Sequence, residues 1–456
     1  MEFQAVVMAA GRGSRMTELT TGCPKCLLPV GNVPMIWYPL NLLKRNGFQE
    51  AIVIVPEMAK NEVSEARIDT KVDMKLDIVT IPSSEDWGTA ESIRYIKDKI
   101  KVDVLIISCD LITDFELHQL ADVYRTHSAS LAMLLAPVSL SLVNAPAPGQ
   151  KGKHKRVRDI VGIESHTGRL MFVNSEADFE ENVPLRKFIL TRHPVVQVHS
   201  DLMDAHLYLM SKWLVDYLVE NENITTIKGE LLPSVVKKQF YHSKTEGKND
   251  ITNMKASVTS VDPKKDIHSH KKTGEWYDLL SELSTRSNQW GSLDDCYHGD
   301  QVRCYGYIMK DGLCVRANTL GSYAEVNRLI PKIWDSVTGN SERPISASLS
   351  RSKSQGGDDS MIGEGTNIAD KVTIKKSIIG NHCQLKEKVK LLNCVIMDHV
   401  TVEEGSTLQS CILCSNAFVG KGSELKDCIV GQQQRVMDLS KLSNDVILEI
   451  EKFIEI

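Results

Sequence analysis

No apolar run in the 456-residue sequence approaches the ~20 residues that a bilayer span requires, so a membrane-embedded protein is not expected. Positive charge is not in excess either. Fifty-four basic residues stand against 59 acidic ones, a net charge of −5, which excludes retention on nucleic acid by bulk charge. The opening Met1-Glu2-Phe3-Gln4 has no basic stretch, and Gly11 arrives before an apolar segment of secretory length can form. Eleven cysteines without an export signal are therefore expected to be reduced thiols of a cytosolic protein. His268 and His270 have no cysteine or further histidine at ligand spacing and read as solvent-exposed. What remains is an ordinary globular composition, 42% hydrophobic and 25% charged, over a length of roughly three average domains.

Through the first 235 residues, short β-rich runs alternate with helix-like segments. The runs at 5–8, 51–55, 76–79, 104–107 and 130–135 are continuously apolar, which predicts a mostly parallel sheet buried on both faces, an α/β fold. Residues 151–158 carry six basic residues in eight and read as a solvated loop. Residues 240–275 are polar and charged and read as a mobile insertion, and 336–360 as a linker.

The strongest regularity follows the linker. From Ile362 to Val430, aliphatic residues recur at spacings of 6, 6 and 5, and the triplet repeats four times without error. Seventeen residues thus form one unit with three aliphatic corners, which predicts a triangular parallel β-helix of hexapeptide-type repeats over 361–435. The same period stacks Ser377, Cys394, Cys411 and Cys428 in one column, read as small soft side chains filling the interior. In the tail, 436–456, apolar residues at Val446, Ile447, Ile450, Phe453 and Ile454 follow helical spacing, fit to cap the last coil or to dock on a partner.

The chemistry-bearing segment comes first in the chain. After the first strand, Ala10-Gly11-Arg12-Gly13-Ser14-Arg15-Met16 lacks the third glycine of a dinucleotide fingerprint and the Gly-Lys-Ser/Thr of a Walker loop. Gly11 and Gly13 still let backbone N–H groups approach an anion, and Arg15 adds positive charge. Pro24-Lys25-Cys26-Leu27-Leu28-Pro29-Val30-Gly31 follows, then Trp87-Gly88-Thr89-Ala90-Glu91, Cys109-Asp110-Leu111 and Asp204-Ala205-His206-Leu207-Tyr208. In this order the segments resemble the sugar-1-phosphate nucleotidyltransferases, many of which carry a C-terminal left-handed β-helix. The resemblance implies a nucleotidyltransferase-like domain over 1–335, with Gly11, Gly13, Arg15 and Lys25 at the nucleotide phosphates. It places Gly88 and Thr89 at the base and sugar, and Asp110 on Mg²⁺. Cys23 and Cys26 form a Cys-x-x-Cys inside the signature loop, without the strand–helix placement of a redox site.

The sequence also departs from that family. Arg316 stands where the second metal-binding aspartate is expected, Arg192-His193-Pro194 replaces a Glu-Lys-Pro, and His206 replaces a glycine. A cation cannot ligate magnesium. These departures imply a vestigial site that holds no metal and needs no cofactor. With them, and with Val198–Tyr208, Gln301–Tyr305 and Val400–Ser406, the chain is similar nearly end to end to the gamma-subunit family of eukaryotic translation initiation factor 2B. That resemblance implies a non-catalytic subunit of a guanine-nucleotide exchange factor, paired with an epsilon subunit in a two-fold decamer with alpha, beta and delta subunits. Its substrate would be initiation factor 2, with no nucleic acid or membrane partner. Twenty-six residues follow Val430, too few for the helical exchange domain that the family appends to epsilon, so exchange by this chain alone is not expected. The opposing expectation is an active GDP-mannose-type pyrophosphorylase, carried by Arg15, Lys25 and Asp110.

Overall fold

The computed structural model describes residues 2–69, 72–82, 87–139, 147–149, 158–176, 187–240, 267–270, 300–339, 355–356 and 359–448. All five expected runs are strands of one sheet: β1 (Phe3–Met8), β2 (Glu50–Pro56), β3 (Lys75–Ile81), β4 (Asp103–Ser108) and β5 (Leu131–Pro137). With β6 (Leu202–Met210) and β7 (Cys304–Ile308) they lie in the order β7-β5-β6-β4-β1-β2-β3. Strands β4, β1, β2 and β3 are mutually parallel, β7 is parallel to β5, and β6 runs antiparallel between β4 and β5. Alternation along β1 sends Val7 to one core and Val6 to the other, which is why the runs read as continuously apolar. The C-terminal ends of β1 and β4 lie side by side, Met8 opposite Ser108, at the edge where open α/β sheets carry their ligand loops.

The helix Leu320–Thr338 begins at a Thr319–Ser322 capping box and ends at Gly339, whose φ of +68° closes the last turn with an N–H bond to the Asp335 carbonyl at 2.9 Å. It therefore runs into the linker expected from 336. At the other end of that span, Gln355–Gly356 already pairs with the Thr373–Lys375 strand, and Asp359 meets Lys332 at 3.5 Å. Residues 340–354 lie outside the described residues, as do 151–157 of the basic run and most of 240–275. The described turn Ile267–His270 corrects the exposed reading of its histidines. Ile267 is buried, and His270 is half-buried, edge-on to Tyr217 at 5.7 Å.

The solenoid is three parallel sheets of six, six and five strands. Each aliphatic column is in register, for example Ile362, Ile379, Ile396, Leu413, Val430 and Ile447. It extends one coil beyond the expected end at 435. Val436, Leu442 and Ile447 continue the 6, 6, 5 spacing, and Val446–Ile447 is a strand paired with Ile429–Val430 rather than a turn of helix. Adjacent apolar residues at a solenoid corner mimic the near neighbours of an amphipathic helix, which is why the tail misleads. Residues 449–456 lie outside the described residues. Ser377, Cys394, Cys411 and Cys428 are buried as expected, each hydroxyl or thiol donating to the carbonyl two residues earlier at 2.8 to 3.2 Å.

One face of the solenoid is apolar both inward and outward. Ile378, Val395, Ile412 and Ile429 point away from the solenoid interior yet are buried, packed in one cluster with Met35, Tyr38, Ile330 and Trp334. Trp334 stacks on Trp37 with ring centroids 5.9 Å apart. Backbone bonds reinforce the seam: Asn32 Nδ2 donates to the Ile379 carbonyl at 2.8 Å, and the Gly149 N–H to that of Asp427 at 2.7 Å. The nucleotidyltransferase-like domain and the solenoid are thus joined through a continuous core.

Candidate functional site

Asp110 follows β4 and is fully buried. Strand Cys314–Arg316 pairs antiparallel with Leu111–Thr113, placing Arg316 opposite Leu111 and its guanidinium beside Asp110. Arg316 Nε donates to Asp110 Oδ1 at 3.0 Å and Nη2 to Oδ2 at 2.9 Å, a bidentate pair. Lys25, from the short turn Lys25–Leu27, places Nζ 2.5 Å from Oδ2. Ser108 Oγ completes the shell, donating to Oδ1 at 2.7 Å. Burial alone pushes the Asp110 carboxyl up, but Arg316 and Lys25 outweigh it and hold it well below the usual carboxylate range. Magnesium requires free oxygen ligands. Both oxygens of this carboxylate are held by cations, so the residues do not fit the ion that the nucleotidyltransferase resemblance implies.

Of the other expected phosphate contacts, Gly13 packs against Lys25, a Cβ there standing 3.4 Å from the Lys25 Cβ. Gly11 and Arg15 are exposed, and nothing stands within 4 Å of a side chain added at Gly11. Gly13 has φ +74°, and its carbonyl accepts from the Met16 N–H at 2.8 Å to close the turn. At the expected base and sugar contact, the turn is already used internally. Thr89 Oγ1 accepts from the Ile227 N–H at 2.8 Å, and the Ala90 N–H donates to the Thr225 carbonyl at 2.9 Å. A Cβ at Gly88 would stand 2.2 Å from that same carbonyl.

His206 sits where the pairing of β6 with β5 slips between Asp204 and Tyr208, and it keeps a left-handed φ of +53°, a conformation that suits glycine. Its N–H donates to Asp204 Oδ1 at 2.8 Å, and the Tyr208 hydroxyl donates to Oδ2. Burial, then the nearby Arg316, lowers the His206 imidazole to about 3. His193 pairs its Nδ1 at 2.9 Å with Oε1 of Glu164, the last residue of the strand Asp159–Glu164, which pairs antiparallel with Val196–His199. Burial, then Glu62 and Asp398, pushes the half-buried Cys23 thiol up to about 12, and burial raises Cys26 well above its ordinary value. Neither thiol is poised as a nucleophile.

Sequence reasoning missed three organising residues. Besides Ser108, Tyr323 donates its hydroxyl to the Pro29 carbonyl at 2.6 Å, and Asn327 Oδ1 accepts from the Gly31 N–H at 3.0 Å. Both lie one turn apart on the Leu320–Thr338 helix, and their i, i+4 spacing behind a Thr-x-x-Ser cap was the available signal.

A nucleotidyl transferase family model matches residues 4–142, and the model described as the EIF2B subunit epsilon LbH domain matches residues 343–450. The translation initiation factor eIF2B subunit gamma of Schizosaccharomyces pombe is 31% identical over 379 residues, 82% of this chain and 74% of that protein. The chain belongs to the eIF2B gamma-subunit family. The eIF2B subunit epsilon of the same yeast is 22% identical over 239 residues, 51% of this chain and 35% of that protein. Mannose-1-phosphate guanylyltransferase 1 of Arabidopsis thaliana is 23% identical over 244 residues, 52% and 57% of the two chains. The N-terminal part of this chain is thus similar to transferases, and Arg316 holds both oxygens of its Asp110.

Proposed function

We propose that this chain is a non-catalytic structural and regulatory subunit of the translation initiation factor 2B complex, which replaces GDP with GTP on initiation factor 2 and is inhibited by the phosphorylated factor. It pairs directly with the epsilon subunit in the cytosol, within a two-fold decamer that also contains alpha, beta and delta. The observation that carries the non-catalytic reading is the neutralised carboxylate: Asp110 is held by Lys25 at 2.5 Å and by both donors of Arg316. Gly88, Thr89 and Lys25 are vestigial contacts turned to internal bonding, while Gly11, Gly13 and Arg15 remain as a vestigial phosphate loop. The second reading, a sugar-1-phosphate guanylyltransferase, is favoured by the open space at Gly11 and the exposed Arg15.

Co-expression with a tagged epsilon subunit, followed by timing of GDP release from initiation factor 2, tests the proposal. A stable complex that releases GDP faster than epsilon alone is expected. Magnesium-dependent pyrophosphate release from GTP and mannose-1-phosphate by the lone chain would overturn it.

A further inference from the structure

The solenoid's charge is unevenly distributed. Residues 370–392 hold six lysines against two acids, whereas 393–410 hold three acids and no lysine or arginine. Lys375 and Lys390 project from the strands Thr373–Lys375 and Lys390–Leu392, which pair in register so that Lys375 lies beside Leu392 and Thr373 beside Lys390. Lys371, Lys376 and Lys388 occupy the adjoining corners. All five lysines are exposed. Lys388 reaches Glu404 at 3.1 Å, and the other four have no ion-pair partner among the described residues.

Two further features lie on this face. The corner lysines have φ of +61°, +49° and +59° (Lys371, Lys376 and Lys388), a left-handed backbone that side chains with a Cβ adopt at a cost. Later coils fill the Lys371 corner with Gly405, Gly422 and Leu439, and the Lys376 corner with Asn393, Ser410, Asp427 and Asn444, all with the same positive φ, so the corner itself fixes the backbone. Between these cations Leu392 stays 38% exposed, one of the few large aliphatic side chains left open among the described residues.

We propose that this face of the first two described coils is a docking surface for an acidic, leucine-bearing segment of a partner protein. The charge calls for carboxylates along a surface whose coils are spaced about 4.8 Å apart, and Leu392 calls for an aliphatic side chain among them. The composition disfavours single-stranded RNA. Residues 363–417 contain no arginine and no Phe, Tyr or Trp, and the rings they do hold, His382 and His399, stack on each other at 5.2 Å away from the lysine-bearing strands. The neighbouring, doubly apolar face is covered by the N-terminal domain, whereas the lysines of this face are exposed.

The probes are a fluorescein-labelled peptide of alternating Asp and Glu with two central leucines, its all-acidic counterpart and a single-stranded RNA of equal length. Each is titrated against the full chain by fluorescence anisotropy. The leucine-bearing peptide is expected to bind most tightly and to weaken with salt. The Lys375→Gln/Lys390→Gln double variant should weaken it about tenfold or more, while Lys421→Gln/Lys426→Gln in later coils leaves it unchanged. Leu392→Asn should weaken the leucine-bearing peptide and not the all-acidic one. In the assembly purified with its co-expressed partners, zero-length carbodiimide crosslinking should join Lys375, Lys388 or Lys390 to a carboxylate of another chain. Equal loss in both double variants, tighter binding of RNA than of peptide, or an assembly without crosslinks from these lysines would each overturn the proposal. Thermal melts of every variant separate lost docking from lost folding.

Discussion

Arg316 and Asp110 meet through two N–H···O bonds of 3.0 and 2.9 Å, where the resembling transferases keep a pair of carboxylates. The guanidinium supplies internally, and permanently, the positive charge that a divalent ion would otherwise bring. Asp110→Ala leaves Lys25 and Arg316 buried together without their counter-charge. A loss of about 3–5 kcal/mol in urea unfolding is expected. A loss below about 0.5 kcal/mol would make the pair a bystander.

The same carboxylate sets an acid limit. Its folded pKa lies below its unfolded value, so its contribution is present above the unfolded carboxylate pKa of about 3.9 and is lost as pH falls through the folded one. The difference in melting temperature between the wild type and Asp110→Asn should therefore be constant at neutral pH and narrow below about pH 4.

His206 titrates in the other sense from an ordinary paired histidine. Its folded pKa, about 3, lies below the unfolded value, so its contribution is complete above the unfolded pKa and shrinks as pH falls below it. Each pH unit below about 6.5 should remove up to about 1.4 kcal/mol from this source. By NMR the His206 ring should remain neutral down to about pH 4, whereas a midpoint near 6.5 would contradict the packing described.

The seam between the domains should melt as one unit. Val395→Asp places an unpaired charge in the shared core, and calorimetry should show one transition shifted down by several degrees, the result of a loss of about 2 kcal/mol or more. Thr407→Asp, on an exposed face, should shift it little. Two separate transitions in the wild type would show that the domains melt independently.

Much of this was legible in the residues. The five strand runs could be read because strands buried on both faces are apolar throughout, and the solenoid because its aliphatic corners hold a fixed period. Arg316 could be placed beside Asp110 only through family resemblance, since 206 residues separate the two and no local pattern joins them. The filling of the Gly88–Thr89 turn by Thr225 and Ile227 could not be read, because backbone acceptors look the same in any sequence. The solenoid's final coil was hidden by apolar neighbours that fit a helix equally well. The doubly apolar face was visible in Ile378-Ile379, Val395-Ile396 and Ile412-Leu413, and went unread because interior residues alone explain the period.

That face also fixes how the molecule can change in length. Each coil spends 17 residues and returns the chain to the same side of the triangle. A deletion or duplication of one whole coil would keep every later aliphatic pair turned toward the N-terminal domain. Any other change within a coil would rotate the following pairs off it, exposing a greasy stripe and stranding the Leu320–Thr338 helix. Within the solenoid, length variation that keeps the seam is therefore quantised in whole coils.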